Sequence, residues 1–269
     1  MRRFPDASWW MKRDRAEHHL EELETAIGPY VAIREHVVSE REEPKNDPNQ
    51  RWVYSASVDG VPDPAWAYIA GDILFNLRCS LDHMAVALNP RKYQGDLIYF
   101  PILDEDPWAR EPGTRRYIQR DPTARRDFRR STEHMNVTAA AYIKSIQPYH
   151  HSTRLHDHVA RNLRRFNNAD KHRKELVQIT GLVPHLVELT DSVGNLIIQP
   201  ARMMPPHEMQ PNGAVILTLP RKVKVKFLGT ALIGIGNSVA SCYEIPGVLE
   251  GMFLWVDKVL SELERTFPP

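Results

Sequence analysis

The chain is short of cysteine, with Cys79 and Cys242 alone among 269 residues. Two cysteines outside any C-x-x-C pair exclude a disulfide framework, and a reducing compartment fits that usage. A long apolar run is missing as well. The nearest approach, Val223 to Tyr243, is interrupted by Lys224, Lys226, Gly229, Gly234, Gly236, Asn237 and Ser238, whereas a spanning helix needs about 20 mostly apolar residues. The opening stretch carries Arg2, Arg3, Lys12, Arg13 and Arg15 without the apolar core of a secretion signal. The expected location is therefore the cytoplasm, with no membrane partner. Net charge is almost absent: 35 Lys and Arg against 34 Asp and Glu give +1, which excludes a histone-like or strongly acidic chain but leaves local patches open. Walker, G-x-G-x-x-G, G-x-S-x-G and H-E-x-x-H signatures do not occur, so no cofactor and no metal are expected. His150, His151, His156 and His158 do not change this, since His156 and His158 diverge by about 200° on a helix.

What is present reads as an ordinary globular chain. Hydrophobic residues make up 42% and charged residues 26%, which argues against disorder, and the length suits one large or two small domains. The segment Ser8 to Ile27 is acidic and amphipathic and predicts a helix stopped by Gly28-Pro29. Tyr30 to Glu40 and Arg51 to Val58 predict a long-looped hairpin, with Trp52, Tyr54, Ala56 and Val58 on one face. Pro64 opens a helix that Asn89-Pro90 ends. Tyr99 to Leu103 is extended, Ser131 to Ile146 is helical, and Ser152 or Thr153 caps a helix running to about Lys174. Beyond it, Glu175 to Gly181, Leu186 to Thr190, Leu196 to Gln199, Ala214 to Leu219 and Lys222 to Ile235 read as strands. Leu249, Met252, Phe253, Val256, Leu260 and Leu263 then form one helical stripe. The fold class is α+β. Its expected parts are an N-terminal helix with a β-hairpin (1–62), a helical core (63–174), an antiparallel β region (175–245) and a C-terminal helix (246–269), with the option that all form one domain.

Chemistry concentrates on the helix after Pro64. Trp66, Ala70, Ile73, Leu77, Leu81, Met84 and Leu88 share a broad apolar face, and Tyr68, Phe75 and Val86 add a second strip. Between them runs a polar line of Asp72, Asn76, Cys79 and His83, with Arg78 and Asp82 beside it at (i, i+4) spacing. A buried polar group without a partner costs about 1–3 kcal/mol, so these residues either form an internal network or face a site. A second cluster, Asn167 to Lys174, puts Asp170 and Arg173 on the buried face of its helix. Asp170 is a carboxylate at the end of the helix that disfavours it, and it wants a cation such as Arg78, Arg173 or protonated His83. A third feature is basic. Arg110, Arg115, Arg116, Arg120, Arg125, Arg126, Arg129 and Arg130 crowd one stretch, interleaved with Tyr117 and Phe128. Arginines with aromatics can track phosphates and stack bases, while a solvated face balanced by the acidic first helix is the plainer reading. Lys222, Lys224 and Lys226 alternate on one strand face, a pattern that protects sheet edges.

Four motifs then stand in order: G-D-I-L-F-N-L-R-C-S-L-D-H at Gly71 to His83, F-P-I at Phe100 to Ile102, I-Q-P-Y at Ile146 to Tyr149, and N-A-D-K-H-R at Asn168 to Arg173. Together they resemble a family of largely uncharacterised bacterial proteins, common in actinobacteria, across roughly residues 65–175. More loosely, Arg78, four intervening residues and His83 resemble the Arg-x(4–6)-His signature of HEPN domains. Those are all-α bundles, many of them metal-independent endoribonucleases of toxin and phage-defence systems. The resemblance implies a homodimer whose composite site cleaves RNA by attack of the ribose 2′-hydroxyl on the adjacent phosphate. His83 would be general acid or base, Arg78 would stabilise the phosphorane, and Asp72, Asn76, Asp82, Asp170 and Arg173 would support them. The sequence departs from that pattern in placing Cys79 directly after the arginine and the motif inside an early, apolar helix. On an ideal helix Arg78 and His83 diverge by about 140°. Two rival readings stay open. One is a non-catalytic interaction module whose motif residues form a buried structural network. The other is a small-molecule pocket along Asp72, Asn76 and His83.

Overall fold

The computed structural model describes Phe4 and residues 7–43, 51–58, 62–90, 98–110, 113, 123–150, 158–170, 177–200, 207–208, 213–235, 243–245 and 247–267. The chain is α+β and divides into two compact units. One comprises Met1–Glu21, Ile69–Arg173 and Pro246–Pro269 and is helical; the other comprises Glu22–Tyr68 and Lys174–Ile245 and holds the sheet. Among the described residues no helix is long and apolar enough to cross a membrane.

The helical unit is built from α1 (Ser8–Val31), α2 (Pro64–Ala87), α3 (Thr123–Thr132), α4 (Val137–Ser145), α5 (Val159–Asp170) and α6 (Gly247–Thr266), the first two extending beyond it. Asp63 starts α2: its side chain accepts from Ala65 N at 2.8 Å, and Pro64 occupies the first helical position, where no N–H is needed. The broad face predicted for α2 is buried from Trp66 through Ala70, Ile73, Leu77 and Leu81 to Met84. The second strip is not: Tyr68 is 75% and Phe75 46% exposed, so α2 buries one side and part of its flanks. The α6 stripe is buried as its period requires, and Leu249, Met252, Val256, Leu260 and Leu263 lie in the core. Arg13 on α1 is 8% exposed, pairs with Asp257 at 2.8 Å and with Glu17, and stacks over Phe253 at 4.0 Å. Trp10 donates to buried Glu264 at 2.7 Å.

Several boundaries differ from the sequence reading. Helix α1 continues through Gly28-Pro29 to Val31. A proline in a last turn forfeits one backbone bond, and Tyr30 beyond it packs edge-on against Trp66 at 5.2 Å. The segment Ser131 to Ile146 is not one helix, because Asn136 caps α4 by accepting from Thr138 N at 2.8 Å. Helix α5 is entered from His158, whose Nδ1 accepts from Ala160 N at 3.2 Å; the expected caps Ser152 and Thr153 lie outside the described residues.

Among the described residues the second unit carries one antiparallel sheet of eight strands, in which β1 (Arg34–Glu43), β2 (Arg51–Ser57), β3 (Val177–Thr190), β4 (Leu196–Pro200), β6 (Ala214–Leu219) and β7 (Lys224–Ile235) run in the order β4-β3-β7-β1-β2-β6. Two short strands complete it: β5 (His207–Glu208) pairs with β3, and β8 (Tyr243–Glu244) with β7. The predicted hairpin forms, with Glu40 opposite Tyr54 and Val38 opposite Ala56, but it is inserted between β7 and β6 rather than standing apart. The two strands expected between Glu175 and Thr190 are one, with register shifts near Gly181 and Pro184 that absorb the glycine and the proline. Strand β7 pairs with β3 along its length but with β1 only from Phe227 to Gly229, so Lys224 and Lys226 stand on a stretch paired on the β3 side alone. Lys226 lies 3.7 Å from Glu35 and 3.9 Å from Glu188 on the flanking strands, and Lys222, just before β7, bonds Glu40.

Candidate functional site

The site is built around a clamp. Arg78 and Asp82 stand one turn apart on α2 with side chains 16% and 24% exposed, and they form an ion pair: Arg78 Nε donates to Asp82 Oδ2 at 3.1 Å and Nη2 lies 2.9 Å from Oδ1. Both partners also reach one backbone unit. Phe100 N donates to Asp82 Oδ1 at 2.8 Å, and Arg78 Nη2 donates to the Phe100 carbonyl at 2.7 Å. A second clamp comes from Gln147, which is 1% exposed. Its Nε2 donates to the Pro101 and Ile143 carbonyls at 2.9 and 2.8 Å, and its Oε1 accepts from Leu103 N at 2.8 Å. Residues 98–103 have no regular structure, so their backbone groups need outside partners, and these side chains supply them.

Clamped in this way, the segment walls a cleft of about 590 Å³ with α2, α3 and α5. Phe100, Ile102 and Phe128 give it an apolar base, Tyr99 stands 49% exposed at its rim, and Arg164, Asn167 and Asn168 enter from α5. Asn167 is 4% exposed and lines the cleft with no side-chain hydrogen bond among the described residues. Asp104 is underpaired too: its Oδ2 lies 3.5 Å from Arg161 and 3.6 Å from Arg164, while Oδ1 is buried without a hydrogen-bond partner. Phe128 also borders a second cleft of about 580 Å³, shared with Trp108, Arg125, Arg126 and Arg129. Trp108 meets Phe128 edge-on at 5.1 Å and carries Lys144 over its ring at 4.1 Å.

The residues singled out from sequence are distributed unevenly over this geometry. Arg78 and Asp82 line the first cleft, whereas His83 does not. His83 is partly buried, and burial is the main reason its pKa falls below the usual 6.5; the Lys12 ammonium lowers it further, against the opposing pull of Asp82. Asp72 is exposed, and Asn76, 5% exposed, donates to the Asp72 carbonyl at 2.8 Å, a bond internal to the helix. Arg126, Arg129 and Arg130 are exposed on α3, with Arg125 partly so. Arg115, Arg116, Arg120 and Arg173 lie outside the described residues, as does the Asp170 side chain. Phe128, 6% exposed, is a buried divider rather than a stacking surface; Trp108, partly buried, is the aromatic beside the arginines. Among the described residues no group of three metal-ligating side chains is placed to hold an ion. Asn167, Asp104 and Tyr99 were not read as site residues. Asn167 sits within the noted polar cluster, but only the position of α5 against residues 98–105 shows its role. No family model matches the chain, and no curated protein or solved structure matches it.

Proposed function

We propose that the helical unit is a single-stranded RNA-binding module without a cleavage site of its own. The observation that carries this reading is the arginine face of α3, where Arg125, Arg126 and Arg129 share a cleft with Trp108. Arg165 on α5 is a further exposed arginine of the same unit, whereas Arg161 and Arg164 are paired with Asp104. Guanidinium groups beside an aromatic ring suit a strand that offers phosphates and unstacked bases alternately. The alternative function for the motif residues is structural, and this reading adopts it. Arg78 and Asp82 fix the cleft wall and do not act on the ligand.

The rival is a HEPN-like endoribonuclease, with Arg78 of one protomer meeting His83 of another in a homodimer. It asks Arg78 to leave both Asp82 and the Phe100 carbonyl, and it uses a histidine that is outside the cleft. Fluorescence anisotropy with a labelled 12-nucleotide RNA across a salt series tests the proposal. Each phosphate contact on a single strand contributes about −0.7 to the slope of log K against log salt. Replacing Arg126, Arg129 and Arg130 by Gln therefore flattens the slope by about 2, and the RNA stays intact on a denaturing gel. A slope that the triple variant leaves unchanged, or RNA cut in a His83-dependent manner, overturns it.

A further inference from the structure

The first cleft has a chemistry different from the arginine groove beside it. Its cations are held in more buried pairs, Arg78 by Asp82 and the Phe100 carbonyl and Arg161 and Arg164 by Asp104, whereas in the groove Arg126 and Arg129 pair with Asp127 and Glu133 through side chains 73% and 80% exposed. Glu105 adds a further carboxylate at its border. A phosphate entering here would meet more negative than uncommitted positive charge. Two of its polar groups keep unused hydrogen-bonding capacity, the Asn167 carboxamide and Oδ1 of Asp104, whose Oδ2 faces the two arginines; they stand above an apolar floor and beside the half-exposed Tyr99 ring. Asn167 as a residue is 4% exposed, and its carboxamide makes no hydrogen bond among the described residues, so both its donor and its acceptor are free for a ligand that enters the cleft. The volume, about 590 Å³, is in the range of small-molecule sites.

We infer that this cleft takes a nucleobase bearing an exocyclic amine. The Asn167 carboxamide has a donor and an acceptor side by side, which matches the ring-nitrogen and amine edge of adenine. Asp104 accepts from the amine, and the Tyr99 ring covers one face of the base. Sugar and phosphate stay outside, toward the α3 arginines. The inference rests on the RNA-binding reading only for where the base comes from, since a free nucleoside presents the same edge and face.

Calorimetric titration with nucleosides, which carry no phosphate, tests it independently of the arginine groove. Adenosine binds, and inosine, in which an oxygen replaces the amine, binds at least about tenfold more weakly. Tyr99→Ala weakens adenosine about tenfold, and this half-exposed position leaves the fold intact, as urea titration would verify. Asn167→Asp weakens every nucleoside, and Asp104→Asn brings adenosine and inosine within about threefold of each other. Adenosine binding that ignores both Tyr99→Ala and Asp104→Asn, or no binding at millimolar adenosine, overturns the inference. A hexanucleotide arm separates the two readings. Equal binding of A6 and U6 with no adenosine binding removes the base cleft and leaves RNA binding standing. Adenosine binding without any hexanucleotide binding keeps the cleft, with a free nucleoside as its ligand, and removes the RNA reading.

Discussion

Replacing Asp82 by Ala separates a structural clamp from a catalytic group more sharply than any other change. Asp82 does two things: it accepts from Phe100 N at 2.8 Å and it holds the Arg78 guanidinium at 2.9 Å. Phe100 is fully buried, so its N–H loses its acceptor at a cost of about 1–3 kcal/mol. The ion pair is partly exposed, and its loss is screened to about 1 kcal/mol or less. The sum, about 1–4 kcal/mol, lowers the urea midpoint of the helical unit and the melting temperature by several degrees. In a double-mutant cycle, Arg78→Met and Asp82→Ala fail to add by about 1–2 kcal/mol, because both remove the same anchor of one backbone unit. His83→Ala in parallel changes stability less, since His83 takes no part in the clamp. Equilibrium urea unfolding followed by tryptophan fluorescence reads all three. An Asp82→Ala protein as stable as the parent, combined with a lost RNA-cleaving activity, would refute the structural argument and restore the catalytic one.

Two further outcomes follow from local geometry. The His83 pKa is held below 6.5 by burial and Lys12, so the unfolded chain takes up this proton more readily than the native one. The stability that neutral His83 permits is thus complete above pH 6.5 and lost as pH falls from there toward the lowered native value. An NMR titration shows a His83 midpoint below 6.5 that Lys12→Gln raises, and a midpoint at or above 6.5 contradicts the cause assigned. Gly213 and Gly194 have nearly the same backbone angle, φ of 92° and 91°, but a Cβ at Gly213 would stand 2.6 Å from the Ala56 carbonyl, whereas at Gly194 it meets nothing within 4 Å. Gly213→Ala accordingly costs at least about 2 kcal/mol and Gly194→Ala about 1, the backbone term alone; equal urea midpoints for the two variants would show that the Ala56 contact does not matter.

Features that were legible in the sequence are those whose cause lies within one element. Asp63-Pro64 and Asn89-Pro90 bracket α2, the apolar stripe fixes the buried face of α6, and alternation in Trp52 to Val58 gives β2. Features decided by distant partners were not. His36 pairs with Phe227 across the sheet, and nothing near either residue announces that the hairpin will enter the sheet rather than stand alone. Pro184 suggested a strand end, but a register shift lets β3 pass it. The alternation of the lysines before and within β7 was legible, but that β7 is flanked by β1 only beyond them is a property of the sheet and not of the strand.

The same division runs through the site. The Arg78–Asp82 spacing announced a pair, yet its meaning depends on Phe100, twenty-odd residues away, and on which way the helix faces. Arginine suits position 78 because its planar fork can serve a carboxylate and a carbonyl together, which the point charge of lysine cannot. Nor is a polar network inside the core idle on this account. The clamp spends its hydrogen bonds on an irregular segment, and an irregular segment is what a concave wall requires, since a packed helix there would fill the cleft. The structural and the binding readings of the motif residues are therefore not competitors. Arg78, Asp82 and Gln147 hold the wall so that Tyr99, Asp104 and Asn167 meet across the space it encloses.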